Sequence, residues 1–206
     1  MRLETVTSAT AEPVSLGEVK RHLRLSTAST DEGDELVLNG LIVAARQRVE
    51  DITNRCLMTQ TKKVYFDEWP DTNYFDIPRA PLLGVESTGV IYKDSDSSSI
   101  TMHSTGDNQW GVDTISEPGR VVLKNNEDWP SETLYDINPI SIQFICGYGT
   151  TDQGNPAKVP EPLKLGIKLL VGHWFENREN TIVAQTIANI PEGIEALLTP
   201  YRDWKF

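Results

Sequence analysis

The last third of the chain constrains the fold most tightly. Val159-Pro-Glu-Pro-Leu-Lys-Leu-Gly-Ile-Lys-Leu-Leu-Val-Gly-His-Trp-Phe-Glu-Asn-Arg-Glu179 and Ile190-Pro-Glu-Gly-Ile-Glu-Ala-Leu-Leu-Thr-Pro-Tyr-Arg202 read as two short helices, each opened by proline. The first carries apolar side chains on nearly every side. A helix of that kind has to be covered on more than one side, by its own fold or by neighbouring copies.

Upstream, Ser15 with Glu18 three residues later has capping-box spacing, which predicts a first helix over about 15–23. A polar break, Ser26-Thr-Ala-Ser-Thr-Asp-Glu-Gly33, separates it from a long second helix that starts at Asp31 or Asp34 and ends near Asn54. Its apolar residues Leu36, Leu38, Leu41, Ile42, Ala45, Val49 and Ile52 recur close to helical spacing. The acids Asp31, Glu32, Asp34 and Glu35 suit the positive end of its dipole. From Met58 the pattern becomes short β-favouring runs at 59–66, 74–77, 85–92, 100–103, 119–123 and 140–145, broken by Pro, Gly and Asn. The expected class is therefore α+β. Helical segments 1–57 and 151–206 pack together, and a small antiparallel β sandwich or barrel-like module, 58–150, is inserted between them.

The chain has 206 residues and a formal charge of −11. Such a balance lacks the clustered Lys and Arg that grip phosphates. No apolar run reaches the roughly 20 residues of a membrane span, and Met-Arg-Leu-Glu-Thr-Val lacks a signal-peptide core, so cytoplasmic folding without membrane contact is expected. Cys56 and Cys146 have no metal-type spacing and sit among apolar neighbours, as reduced buried thiols do. His22, His103 and His173 fall on separate elements without a catalytic motif. His173 with Glu176, one turn apart, is the nearest thing to a ligand pair. Asp94-Ser-Asp-Ser-Ser-Ser99 lacks the glycine and the final Glu of a calcium loop and reads as a hairpin tip. Neither catalytic residues, nor a metal site, nor a cofactor is expected.

The order of these elements resembles the head-tail connector (adaptor) proteins of long-tailed bacteriophages and gene-transfer particles, in the longer form with a β module between helices. The resemblance rests on Glu12 to Arg24, Leu41-Ile-Val-Ala-Ala-Arg46 with Val49-Glu50, and Thr53-Asn-Arg55. It continues through Asp67-Glu-Trp-Pro70, Ile77-Pro-Arg-Ala-Pro-Leu82, Gly147-Tyr-Gly149, Val159-Pro160, His173 to Glu179, Ile190-Pro191 and Leu198-Thr-Pro-Tyr-Arg202. These segments run in order over almost the whole chain. One departure is the start of the long helix, where Ser and Gly dilute the family's Asp-rich stretch.

The resemblance implies a structural virion protein, assembled in a bacterial cytoplasm. It would form a ring, typically a dodecamer, beneath the portal protein, extend the DNA channel and carry the stopper or tail-completion protein, while DNA passes without specific binding. It also implies portal contact by the C-terminal region, here Tyr201, Arg202, Trp204 and Phe206, whose residue types suit interface hot spots. Leu169, Trp174, Phe175 and Arg178 are expected at the contact between subunits. Asp31, Glu32, Asp34 and Glu35, or acids of the β module, are expected to line the channel. Two alternatives stand beside this reading. One is a stopper or tail-completion protein of the same neck, and the other is a carbohydrate-binding module using Trp69, Trp110 and Trp129 as sugar platforms.

Overall fold

The computed structural model describes residues 1–26, 32–103, 109–125, 127–149, 158–177 and 192–204. The element order is β1 (Arg2–Thr7), α1 (Leu16–His22), α2 (Glu32–Thr53), β2 (Gln60–Phe66), β3 (Tyr74–Ile77), β4 (Leu82–Lys93), β5 (Ser99–Met102), β6 (Trp110–Asp113), β7 (Gly119–Leu123), β8 (Ile140–Cys146), α3 (Glu161–Glu176) and α4 (Glu192–Leu198). A 3-10 turn at Thr199–Tyr201 follows. The fold is α+β, as expected.

Helix α1 forms where the capping box places it. The Ser15 side chain accepts from the Glu18 amide, and the Glu18 carboxylate accepts from the Ser15 amide at 2.8 Å. Helix α2 buries Leu38, Ile42, Ala45 and Val49, a stripe at i, i+4, i+7 and i+11, against Leu163, Ile167, Leu170 and Val171 of α3. Val19, Ile194 and Leu198 close this helical core. Beyond Thr53, Asn54 adopts φ 54°, a left-handed cap that asparagine tolerates, and the Arg55 amide returns to the Glu50 carbonyl at 3.2 Å.

The strands form a five-stranded sheet, β1-β2-β8-β4-β5, and a three-stranded sheet, β3-β7-β6, with antiparallel pairing throughout. Strand β8 lies at the centre of the larger sheet. Its alternate residues Ile140, Ile142, Phe144 and Cys146 point into a second core with Val64, Phe75, Ile77, Val90, Trp110 and Val121. The hairpin reading of 94–99 is correct: Asp94 Oδ1 accepts from the Asp96 and Ser98 amides, and Ser97 sits at φ 65°.

Two strands were not legible. Strand β1 is an edge strand with five of its six residues exposed, so it shows no inward-facing apolar row. It joins the larger sheet through β2 and is not part of the helical core. Strand β6 is only four residues long, Trp-Gly-Val-Asp, too short to carry a period.

Candidate functional site

The C-terminal segment is held by the end of α2. Where α2 stops, its last carbonyls need donors. The Asp203 amide donates to the Thr53 carbonyl at 2.9 Å, and the Asn54 side chain donates to the Asp203 carbonyl at 3.0 Å. Arg55 is the hub. Its Nε donates to the Tyr201 carbonyl, and its other nitrogens reach the Tyr148 hydroxyl at 3.1 Å and the Glu117 carboxylate. Thr53-Asn54-Arg55, Tyr148 and Tyr201 lie in three sequence segments that carry the family resemblance, and they meet here.

The hub is partly dry. The Arg55 side chain is 11% exposed and Glu117 51%. The bond from Arg55 holds the Glu117 carboxyl below the usual range, against the opposing effect of burial. Burial pushes the Tyr148 phenol up, although Arg55 works the other way. A second network sits about two and a half turns before Arg55, on α2. Arg46 donates to Glu12 and to Glu50, both at 2.8 Å, and Glu50 also accepts from the Leu57 amide and the Gln60 side chain. Burial raises the Glu50 carboxyl despite Arg46 beside it. Arg79 closes the set, donating to the Glu50 carbonyl at 2.7 Å and to Asp51 at 3.1 Å.

The four residues assigned to portal contact therefore separate. Tyr201 is half-buried and packs on the helical core. Arg202 and Trp204 project outward together, the guanidinium 4.4 Å from the indole centroid and Trp204 70% exposed. Phe206 lies outside the described residues. The tip is thus a cation–aromatic pair mounted on a backbone fixed by Arg55, Asn54 and Thr53.

The other assigned residues separate as well. Leu169, Trp174 and Phe175 are partly buried against their own helical core, and Arg178 lies outside the described residues. Helix α3 is covered mainly by its own fold, and among its large apolar residues Leu165 alone is exposed, at 39%. The surplus apolar surface belongs to α2, where Leu36, Val37 and Val43 are 76%, 41% and 37% exposed. Of the four helix acids, Asp34 is half-exposed, and Glu35 is bonded to Lys20 of α1. Asp31 lies outside the described residues, and for Glu32 only the backbone is described.

Trp110 is 2% exposed and donates to the Met102 carbonyl at 3.1 Å, so it offers no face to a sugar. Trp69 and Trp129 stack on each other at 5.1 Å and 10° and are half-buried against the β core. The two cysteines are free, buried thiols, with Sγ atoms 2.9 Å apart. Contact with Cys56 and burial push the Cys146 thiol far up. Among the described residues no cluster of three or more His, Cys, Asp or Glu is placed to hold a metal ion, and no helix is long and apolar enough to cross a membrane.

No family model matches the chain, and neither does any curated protein. Solved structures do match. A chain in the neck of an empty gene transfer agent (GTA) particle, computed with C6 symmetry, aligns with a TM-score of 0.75 at 20% identity, covering 100% of this chain and 97% of that one. A chain in the virion of a native GTA particle aligns at 0.74 and 21%, with the same coverage. A chain in the neck of a native GTA particle, computed with C12 symmetry, aligns at 0.71 and 19%, again over 100% and 97%. At these identities the likeness establishes a common fold over the full chain.

Proposed function

We propose that this protein is a structural subunit of a phage-like neck, a head-tail connector (adaptor) that forms a ring beneath the portal protein. The observation that carries the proposal is the end-to-end match to chains in the necks and virion of GTA particles, two of them computed with C6 or C12 symmetry. A ring of twelve copies continues the DNA channel and presents a platform to the stopper or tail-completion protein. The net charge of −11 suits a lumen that repels phosphate and does not retain it. The exposed Arg202–Trp204 pair is the portal contact in this reading, because an outward Arg and Trp on a fixed backbone lose little conformational freedom when they are buried by a partner.

The test is the native mass of the protein alone and mixed with the portal protein of the same genome, with electron microscopy of any large species. A ring, alone or on the portal, is expected. A protein that ignores the portal but joins a preformed adaptor ring is a stopper, and one that does neither overturns the neck assignment.

A further inference from the structure

We infer that adjacent copies of this chain meet through the outer face of α2, which seats in the groove between α1 and α3 of the next copy. The inference rests on the ring assembly proposed above and assigns its two contacting faces.

One half is the side of α2 turned away from the core. Leu36, Val37, Gly40, Val43 and Ala44 are exposed there. Residues 36–47 contain a single charged residue, Arg46, and it is 6% exposed and bonded to Glu12 and Glu50. Three helical turns of uncharged surface are unusual in a chain with 24% charged residues, and such a patch marks a contact site when it is contiguous.

The other half is a groove of about 480 Å³ between the end of α1 and the C-terminal half of α3. Leu23, Leu169 and Gly172 form its floor, and none of its lining residues comes from α2. The two surfaces thus share no residue. A contact between unlike faces repeats from copy to copy and closes into a ring when the rotation allows, whereas a patch meeting itself stops at a pair.

Shape and charge agree with this pairing. A Cβ at Gly40 would meet nothing within 4 Å, and one at Gly172 only Leu23 Cδ2 at 3.4 Å, so the middle of each surface admits a close helix approach. The α2 stripe begins at an acidic end with Asp34 and with Glu35, the latter bonded to Lys20 of its own chain. The groove is lined by His22, Arg24 and His173, with Glu176 as its one acid. Arg24 at the groove, set against the acidic start of α2 of the next copy, gives the contact a register and a direction.

The test uses the full chain assembled with its portal protein. Gly40→Cys and Gly172→Cys, introduced together and treated with a short bismaleimide, are expected to give a denaturing-gel ladder of dimer, trimer and higher species, while each single variant stays at the monomer position. As a second variant, Leu36→Glu with Val43→Glu should retain the wild-type circular dichroism spectrum and lose at least ten-fold in ring yield. Rings that form without a ladder, or with undiminished yield in the double-Glu variant, would overturn the face assignment and leave the neck reading intact. A Gly40→Cys chain that links only into a dimer would overturn it in favour of a two-fold contact. Failure of the unsubstituted protein to assemble at all would remove the ring reading and this inference with it.

Discussion

Replacing Arg55 by methionine keeps the apolar stem and removes the hub between the tail, the β module and α2. The guanidinium is lost from the Tyr201 carbonyl, the Tyr148 hydroxyl and Glu117. A hydrogen bond from a charged donor to a partly buried acceptor contributes about 1.5 kcal/mol, so the first two sum to about 3 kcal/mol. The pair with Glu117, half-exposed, adds about 0.5 kcal/mol or less. Arg55→Met is therefore expected to lower stability in urea unfolding by about 3 kcal/mol, and Glu117→Gln by about 0.5 kcal/mol. The Asp203 amide, bonded to the Thr53 carbonyl, should lose protection against hydrogen exchange in Arg55→Met before the core amides do. The pH dependence follows from Glu117. Its folded pKa lies below the unfolded value, so the pair contributes fully above the ordinary Glu pKa of about 4.3 and is lost as pH falls through the folded value. The gap between wild type and Arg55→Met should narrow below about pH 4. A loss under about 1 kcal/mol at pH 7, with Asp203 exchange unchanged, would show that the tail is not anchored through Arg55.

Trp204→Ala and Arg202→Ala should weaken portal binding in a pull-down or calorimetric titration by at least ten-fold without moving the unfolding midpoint, whereas Tyr201→Ala should lower the midpoint because that ring packs on the core. Deleting everything after Pro200 removes the Asp203 anchor as well as the tip, so it should destabilise the fold and is a poor test of docking by itself. Gly147→Ala should cost 3 kcal/mol or more, as an order of magnitude, in urea unfolding: the backbone is at φ 124°, and the new Cβ would lie 2.3 Å from the Met58 carbonyl oxygen. A cost below 1 kcal/mol would mean that the β8 exit shifts freely. Cys56 and Cys146 should react with a thiol reagent only in denaturant, being buried and, for Cys146, shifted far up, and rapid labelling of the native protein would contradict that packing.

What could be read from the sequence was local. The Ser15–Glu18 box, the helical apolar spacing of α2 and the β-favouring run at 140–145 are each set by residues within a few positions of each other, and the structure has all three. The tail anchor was hidden because Asn54 and Asp203 are 149 positions apart, and nothing in Thr-Asn-Arg names a partner. Its only trace was that the motifs carrying the family likeness included Asn54, Arg55, Tyr148 and Tyr201 together. The extra apolar surface was assigned to α3 because composition measures apolar content without direction. Helix α3 spends that content on α2 and α4, while α2 keeps Leu36, Val37 and Val43 outside.

In the proposed ring, the acid distribution bears on which surface would face DNA. Residues 58–150 hold 14 Asp and Glu against 6 Lys and Arg, a net of −8 out of the −11 of the whole chain. The rest of the chain, 16 acids against 13 cations, is close to balanced. At the start of α2, Glu35 is taken up by Lys20. In the β module, Glu68, Asp71, Asp96, Asp128 and Asp136 are exposed. A field that repels phosphate reaches only about 8 Å at physiological salt, so a channel lining in the proposed ring needs exposed acids close to the DNA, and the β module has more of them than the helix does. Changing Glu68, Asp71, Asp128 and Asp136 to their amides should therefore let assembled rings retain duplex DNA in a low-salt mobility-shift assay where the unsubstituted rings release it. The same change in Asp34 and Glu35 should have little effect. Retention by the helix variant and none by the β variant would move the channel lining back to α2.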